Sequence, residues 1–129
     1  MICYLDTSAA MKLLVQEPES DGLTRYLQAD ATEQELASWL LHTELHCAAN
    51  RHPDDIDPDS VGIVLDTVSL IDVTRGDLLT AGTLPGQLPS NAAIHLATAL
   101  RISVDEMLTY DAELADACAA AGLSVERPV

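Results

Sequence analysis

The feature that most constrains this chain is a set of short apolar runs, two of them halted by aspartate, alternating with helical stretches. Ile2-Cys3-Tyr4-Leu5 stops at Asp6-Thr7-Ser8, and Met107 to Tyr110 stops at Asp111. Ser69 to Val73 and Leu123 to Glu126 read as two further strands. Helical stretches fill the intervals: Ala9 to Val15, Pro18 to about Gln28, and Trp39 to Arg51 with Ser38 as its cap. Asp57-Pro58 opens another through about Thr67, Arg75 to Thr83 follows, and Ser90 or Asn91 caps Ala92 to Ser103. The last runs from Asp111 to Ala121, where Gly122 is a natural stop. Strands and helices in alternation predict a parallel sheet covered by helices on both faces. Such sheets take their ligands at the carboxyl ends of the strands, so the residues that end strands are the ones to examine.

Composition narrows the function. The 129 residues carry 6 Lys+Arg against 21 Asp+Glu, a formal net charge of −15. The length suits one domain spanning residues 1–129. Apolar content of 48% excludes disorder despite the charge. With no Phe and 3% aromatics, the core must come from Leu, Val, Ile and Ala, and base stacking is a poor means of holding any single nucleic-acid strand. A broad basic face for nucleic acid is excluded, but contact with phosphate through a bound metal is not. No apolar run approaches the roughly 18 residues of a membrane span, and Ile2 to Leu5 is too short for a signal peptide. Cys3, Cys47 and Cys118 are odd in number, far apart and free of any C-x-x-C pair, so all three read as small buried side chains in a reducing cytoplasm.

Asp6 and Asp111 each stand where a strand gives way to a helix. Either alone is explained by helix capping, but the two together mark the ligand-binding edge. Glu44 is a third acid. Its helical neighbours three and four positions away are Leu40, Leu41, Cys47 and Ala48, so it sits on an apolar stripe where an unpaired carboxylate is costly. It is either a solvated edge position or a carboxylate aimed into a shared pocket. Converging carboxylates repel unless a cation sits among them, and an all-oxygen set selects Mg²⁺ or Mn²⁺. A site of that kind activates water and neutralises phosphate charge in an in-line displacement.

The stretches Tyr4-Leu5-Asp6-Thr7-Ser8-Ala9, Thr43-Glu44-Leu45, Ala93-Ile94-His95-Leu96-Ala97-Thr98-Ala99 and Leu108-Thr109-Tyr110-Asp111 resemble the PIN domain, with the strongest likeness to VapC-type toxins of toxin–antitoxin pairs. The likeness runs through essentially the whole chain. It implies a three-layer, Rossmann-like α/β/α fold and an endoribonuclease dependent on Mg²⁺ or Mn²⁺. It further implies a cognate antitoxin, an RNA substrate, a homodimer and no DNA binding by the toxin alone. The catalytic and metal-binding set carries over as Asp6, Glu44 and Asp111. The family pattern calls for one more aspartate at position 92, where this chain has Ala92. Asn91 projects about 100° away around the helix and is a poor replacement. The resemblance thus implies weak metal binding and poor cleavage by this chain, or a degenerate module that binds RNA or antitoxin without cutting. Loss in a natural lineage and deliberate replacement to silence a toxic enzyme both account for Ala92.

Other signals are weaker. His42 and His46 have a chelating i, i+4 spacing, but Thr43 stands where a zinc-protease helix needs Glu, and Glu44 lies on the opposite face. His95 reads as a satisfied structural histidine with a supporting place near the site as the rival. Asp55, Asp57 and Asp59 imitate the start of a calcium loop, but Ser60, Asp66 and Pro58 break the pattern, and a helix cap is the better reading. A phosphorelay receiver needs a late lysine, and the only lysine is Lys12; an aspartyl-phosphate phosphatase needs Asp-x-Asp, and Asp6 is followed by Thr7-Ser8.

Overall fold

The structure is a computed structural model that describes all 129 residues. Five strands, β1 (Ile2–Leu5), β2 (Gln34–Ser38), β3 (Ser69–Ile71), β4 (Glu106–Leu108) and β5 (Ser124–Glu126), form one sheet in the order β3-β2-β1-β4-β5. Every pairing is parallel. Seven helices connect them: α1 (Thr7–Leu14), α2 (Ser20–Gln28), α3 (Leu40–Arg51), α4 (Pro58–Leu65), α5 (Arg75–Ala81), α6 (Ser90–Ile102) and α7 (Ala112–Ala120). No helix is long and apolar enough to cross a membrane.

Strand alternation distributes the core between two faces. On one, Tyr4, Leu36 and Met107 meet Leu96 and Ala99 of α6 and Leu114 and Cys118 of α7. On the other, Cys3, Leu5 and Leu108 meet Ala9 of α1 and Leu23 of α2, while Ala37 joins Leu41, Leu45 and Ala48 of α3 with Val61 and Val64 of α4. Two helical layers around a parallel sheet is the three-layer architecture expected from the alternation.

Four strands stand near their expected positions; β2 is an addition. Gln34 and Glu35 carry no apolar signal, and only Leu36, Ala37 and Ser38 are buried. The strand exists because Ile2 to Tyr4 pair with Gln34 to Leu36 on one side and Leu36 to Ser38 pair with Ser69 to Ile71 on the other. Ser38 is therefore the last residue of a strand, although its Oγ still accepts from Leu40 N at 3.2 Å. Neither Ser90 nor Asn91 caps α6: Pro89, with φ −57° and ψ 153°, starts the helix at Ser90 without a side-chain cap. Asp57 caps α4 with Pro58 in its first turn, as the loop sequence predicts. Gly122 follows α7 with φ +82°, a left-handed conformation that a residue with a Cβ adopts only with strain.

Candidate functional site

The strand order turns back between β1 and β4, the switch point at which parallel α/β sheets bind ligands. Asp6 leaves the end of β1 there, and Asp111 follows β4 three residues after Leu108. Both cap helices. Asp6 Oδ1 accepts from Ala9 N at 2.9 Å, and Asp111 Oδ1 accepts from Glu113 N at 2.9 Å and Leu114 N at 3.3 Å. Capping occupies one oxygen of each, so it does not exclude a second role for the other.

Asp6 is 4% exposed, and no lysine or arginine pairs with it. Its donors are Thr109 Oγ1 at 2.6 Å to Oδ2, Ser8 Oγ at 2.7 Å to Oδ1, and the Ala9 N–H. Burial pushes its carboxyl above the ordinary value, and the hydrogen bonds from Thr109, Ala9 and Ser8 oppose that only in part. Thr109 also accepts from the Asp111 N–H at 3.1 Å, which ties the two aspartate segments together.

Glu44, on α3, faces α6. Its Oε1 lies 2.6 Å from His95 Nε2, and its Oε2 accepts from Asn91 Nδ2 at 3.0 Å. Asn91 and His95 are i, i+4, so one face of α6 presents both to the same carboxylate. A carboxylate only accepts, so Nε2 carries the hydrogen; Tyr4 Oη, which accepts from Ser38 N at 3.0 Å, donates to Nδ1 at 2.6 Å. This tautomer follows from the network around the ring. Burial pushes the Glu44 carboxyl up, but the hydrogen bonds from His95, Asn91 and Thr7 outweigh it and hold the carboxyl below its ordinary value. Thr7 Oγ1 lies 3.2 Å from His95 Nε2 and links this carboxylate to the residue after Asp6.

Ala92 is 5% exposed and packs in the cluster of Tyr4, Leu36 and Leu96. The expected set is thus distributed around the switch point, with Ala92 apolar and comfortable in its surroundings. Asp6, Glu44 and Asp111 do not bring three carboxylates within 4.8 Å of one another. The group that does meet that spacing is Cys3, Glu33 and Glu106, at the opposite end of the sheet, where Tyr26 Oη also donates to Glu106 at 2.6 Å. The His42 and His46 rings lie in contact, tilted 45° with centroids 4.4 Å apart, and Trp39 stands 5.3 Å from His42, none of them bonded to Glu44. One cysteine reading needs correction. Cys3 and Cys118 are buried, but Cys47 is exposed, because it lies three residues after Glu44 on the side of α3 that the helical layer leaves open.

The sequence assigns no site role to Thr109 or Ser8 and reads Asn91 as a helix cap or a poor replacement for the missing aspartate, whereas the structure bonds Asn91 and His95 directly to Glu44. The i, i+4 spacing of Asn91 and His95, polar residues on an otherwise apolar helix, was the available signal.

A parallel α/β domain with acids at its switch point is the class that fold and site define. The PIN-domain family model matches residues 3–120. Ribonuclease VapC46 of Mycobacterium tuberculosis is 38% identical over 128 residues, covering 97% of this chain and 96% of that protein. Among solved structures, VapBC2 from Rickettsia felis bound to a DNA fragment from their promoter contains a chain that superposes with a TM-score of 0.77 at 16% identity, all of both chains being covered. Mycobacterium tuberculosis VapC20, a sarcin-ricin loop cleaving toxin, superposes with a TM-score of 0.71 at 17% identity over 98% of both chains. The chain belongs to the PIN-domain family, as a ribonuclease of the VapC toxin type.

Proposed function

We propose that this chain is the toxin of a toxin–antitoxin pair, a Mg²⁺- or Mn²⁺-dependent endoribonuclease whose metal carboxylates are Asp6, Glu44 and Asp111, and that Ala92 weakens it. The observation that carries the reading is Asp6: a carboxylate 4% exposed, at the ligand-binding edge, supported by hydroxyl and N–H donors and by no cationic side chain. Burial of such a group favours a proton or a cation beside it. The donors offered by Asp6, Glu44 and Asp111 are all hard oxygens, which fits Mg²⁺ or Mn²⁺ and disfavours softer ions. When bound, such an ion would lower the pKa of a water and neutralise charge on the phosphate. The protein's own residues do the positioning. Ser8 and Thr109 orient Asp6, and His95 and Asn91 hold Glu44 ionised and fixed in rotamer.

Partners belong to the same proposal. A net charge of −15 suits a basic antitoxin segment, because complementary charge steers and speeds pairing. Toxin–antitoxin complexes from Klebsiella pneumoniae and other bacteria among the structural neighbours support that reading. The homodimer has a candidate surface in Leu78 and Leu79, both exposed on α5. The toxin alone is proposed to act in the cytoplasm on RNA and to leave DNA uncontacted.

One observation favours the second reading, a module that binds without cutting: Ala92 sits in an apolar cluster where a carboxylate would be unaccompanied without a metal. Digestion of RNA by the chain and by Ala92→Asp, each with and without Mg²⁺ or Mn²⁺, separates them. Metal-dependent cleavage raised by Ala92→Asp supports the nuclease. Equal inactivity of both in a sensitive assay refutes it.

A further inference from the structure

A groove of about 520 Å³ runs between α1 and α3, starting at the edge where Thr7, Glu44 and Asn91 stand and ending at Arg51 and His52. Arg51 is seven residues after Glu44, two helical turns further on the same face of α3, so it lies about 10 Å along the helix axis from that carboxylate. Met11 and Ala48 supply apolar wall between the two ends, and exposed Cys47 lies midway.

The chain has few cations, and two of them are engaged. Lys12 Nζ is 3.0 Å from both Glu17 and Glu19, and Arg101 bonds Asp77 at 2.8 Å and the Asp72 carbonyl at 2.9 Å. Arg25, Arg51, Arg75 and Arg127 form no ion pair. Of these four, Arg51 shares a cavity with Glu44, and the other three line none of the larger cavities. In a molecule of charge −15 a polyanion is repelled over most of the surface, so an unengaged guanidinium at the mouth of the site is where a phosphate can be held.

The geometry points to Arg51 as the residue that binds an RNA phosphate beyond the scissile one, with the α1–α3 groove as the path of the RNA strand leaving Glu44. This rests on the ribonuclease reading above. Guanidinium offers a planar fork to phosphate oxygens, and its place in the last turn of α3, with its charge unpaired, leaves that fork free. A basic antitoxin segment would meet repulsion from Arg51, which makes RNA the favoured occupant.

The test measures binding of a fluorescent single-stranded RNA oligonucleotide without divalent metal, over a range of salt. Arg51→Ala should weaken binding about tenfold at low salt, the loss of one charged hydrogen-bonded contact. It should also make the slope of log affinity against log salt shallower by about 0.7, the share of one phosphate on a single strand. Arg51→Lys should keep the slope. Alkylation of Cys47 by an uncharged maleimide gives the second readout, because Cys3 and Cys118 are buried. Saturating RNA should slow labelling of Cys47 in the parent, and more RNA should be needed in Arg51→Ala. A parent that binds no RNA without metal overturns this assignment, because a guanidinium holds phosphate without an ion; the ribonuclease reading is judged separately by the metal-dependent digestion with Ala92→Asp. Binding by the parent with unchanged affinity and slope in Arg51→Ala overturns the assignment of Arg51 alone. Protection of Cys47 by an arginine-rich peptide and not by RNA overturns it too, and gives the groove to a protein partner.

Discussion

Replacing His95 by alanine tests the network that holds Glu44. The ring is 1% exposed, with a 2.6 Å bond to Glu44 on one nitrogen and a 2.6 Å bond to Tyr4 on the other. His95→Ala orphans both partners at about 1–3 kcal/mol each and opens a cavity besides, for a total of about 3–5 kcal/mol. That is a large part of the ~5–15 kcal/mol that keeps a domain folded. At roughly 3–5 °C per kcal/mol for a chain of this size, the melting temperature should fall by about 10–20 °C. The deficit should depend on pH, with a definite sign. The Glu44 carboxyl is held below its ordinary value, so its contribution to stability is complete above pH about 4.3 and is lost as pH falls through the folded value. Without His95, only the hydrogen bonds from Asn91 and Thr7 oppose burial, so the carboxyl rises relative to the parent and the stability it contributes above pH about 4.3 shrinks. Urea unfolding of parent and variant between pH 7 and pH 4 should therefore show a gap that is widest near neutrality and narrows on acidification. His95→Gln, which keeps a donor for Glu44 and gives up the bond to Tyr4, should recover about half of the loss. A gap under 1 kcal/mol, or one of constant size across that range, would refute the reasoning.

Ala92→Asp should lower the melting temperature in chelator, since it places an unpaired carboxylate at a buried position. Mg²⁺ at about a hundred times its dissociation constant should return about 2.7 kcal/mol, and the parent should respond less. Thr74→Ala breaks the capping box in which Thr74 Oγ1 accepts from Asp77 N and Asp77 accepts from Thr74 N, both at 3.0 Å. Its expected effect is a loss of about 1 kcal/mol by chemical denaturation. Mass spectrometry after brief maleimide treatment of the native chain should find one adduct, on Cys47. Burial excludes reagent from Cys3 and Cys118 and pushes the Cys118 thiol up to about 12.

The parts legible in the sequence are those whose signal is local. Ile2 to Leu5 and Met107 to Tyr110 announce strands because a strand buried on both faces is apolar throughout, and Asp6 and Asp111 announce themselves by halting those runs. Glu44 is legible as an acid on an apolar stripe. Gln34 to Ser38 is not legible, because its strand character comes from neighbours thirty or more residues away and not from its own residue types. The bond between Glu44 and His95 spans 51 residues and that between Glu44 and Asn91 spans 47, so no helical or strand period records them. Cys47 and Arg51 are exposed in a groove lined by α1 and α3 together, and a pairing of distant helices leaves no local trace in the residue pattern.

The central strand is the first to be made, and that sets a timetable. Asp6 receives its shortest bond from Thr109, and its backbone N–H is held by Leu108, each more than a hundred residues downstream. At ribosomal speeds of about 5–20 residues per second, roughly 5–20 s separate synthesis of the acid from synthesis of the hydroxyl that orients it. During that interval Asp6 has only its local caps, β1 lacks its neighbour β4, and the switch point has one side. A nascent chain that stops short of Thr109 thus carries Asp6 and Glu44 without the site they belong to. The switch point is completed only once Thr109 has been made and β4 has paired with β1.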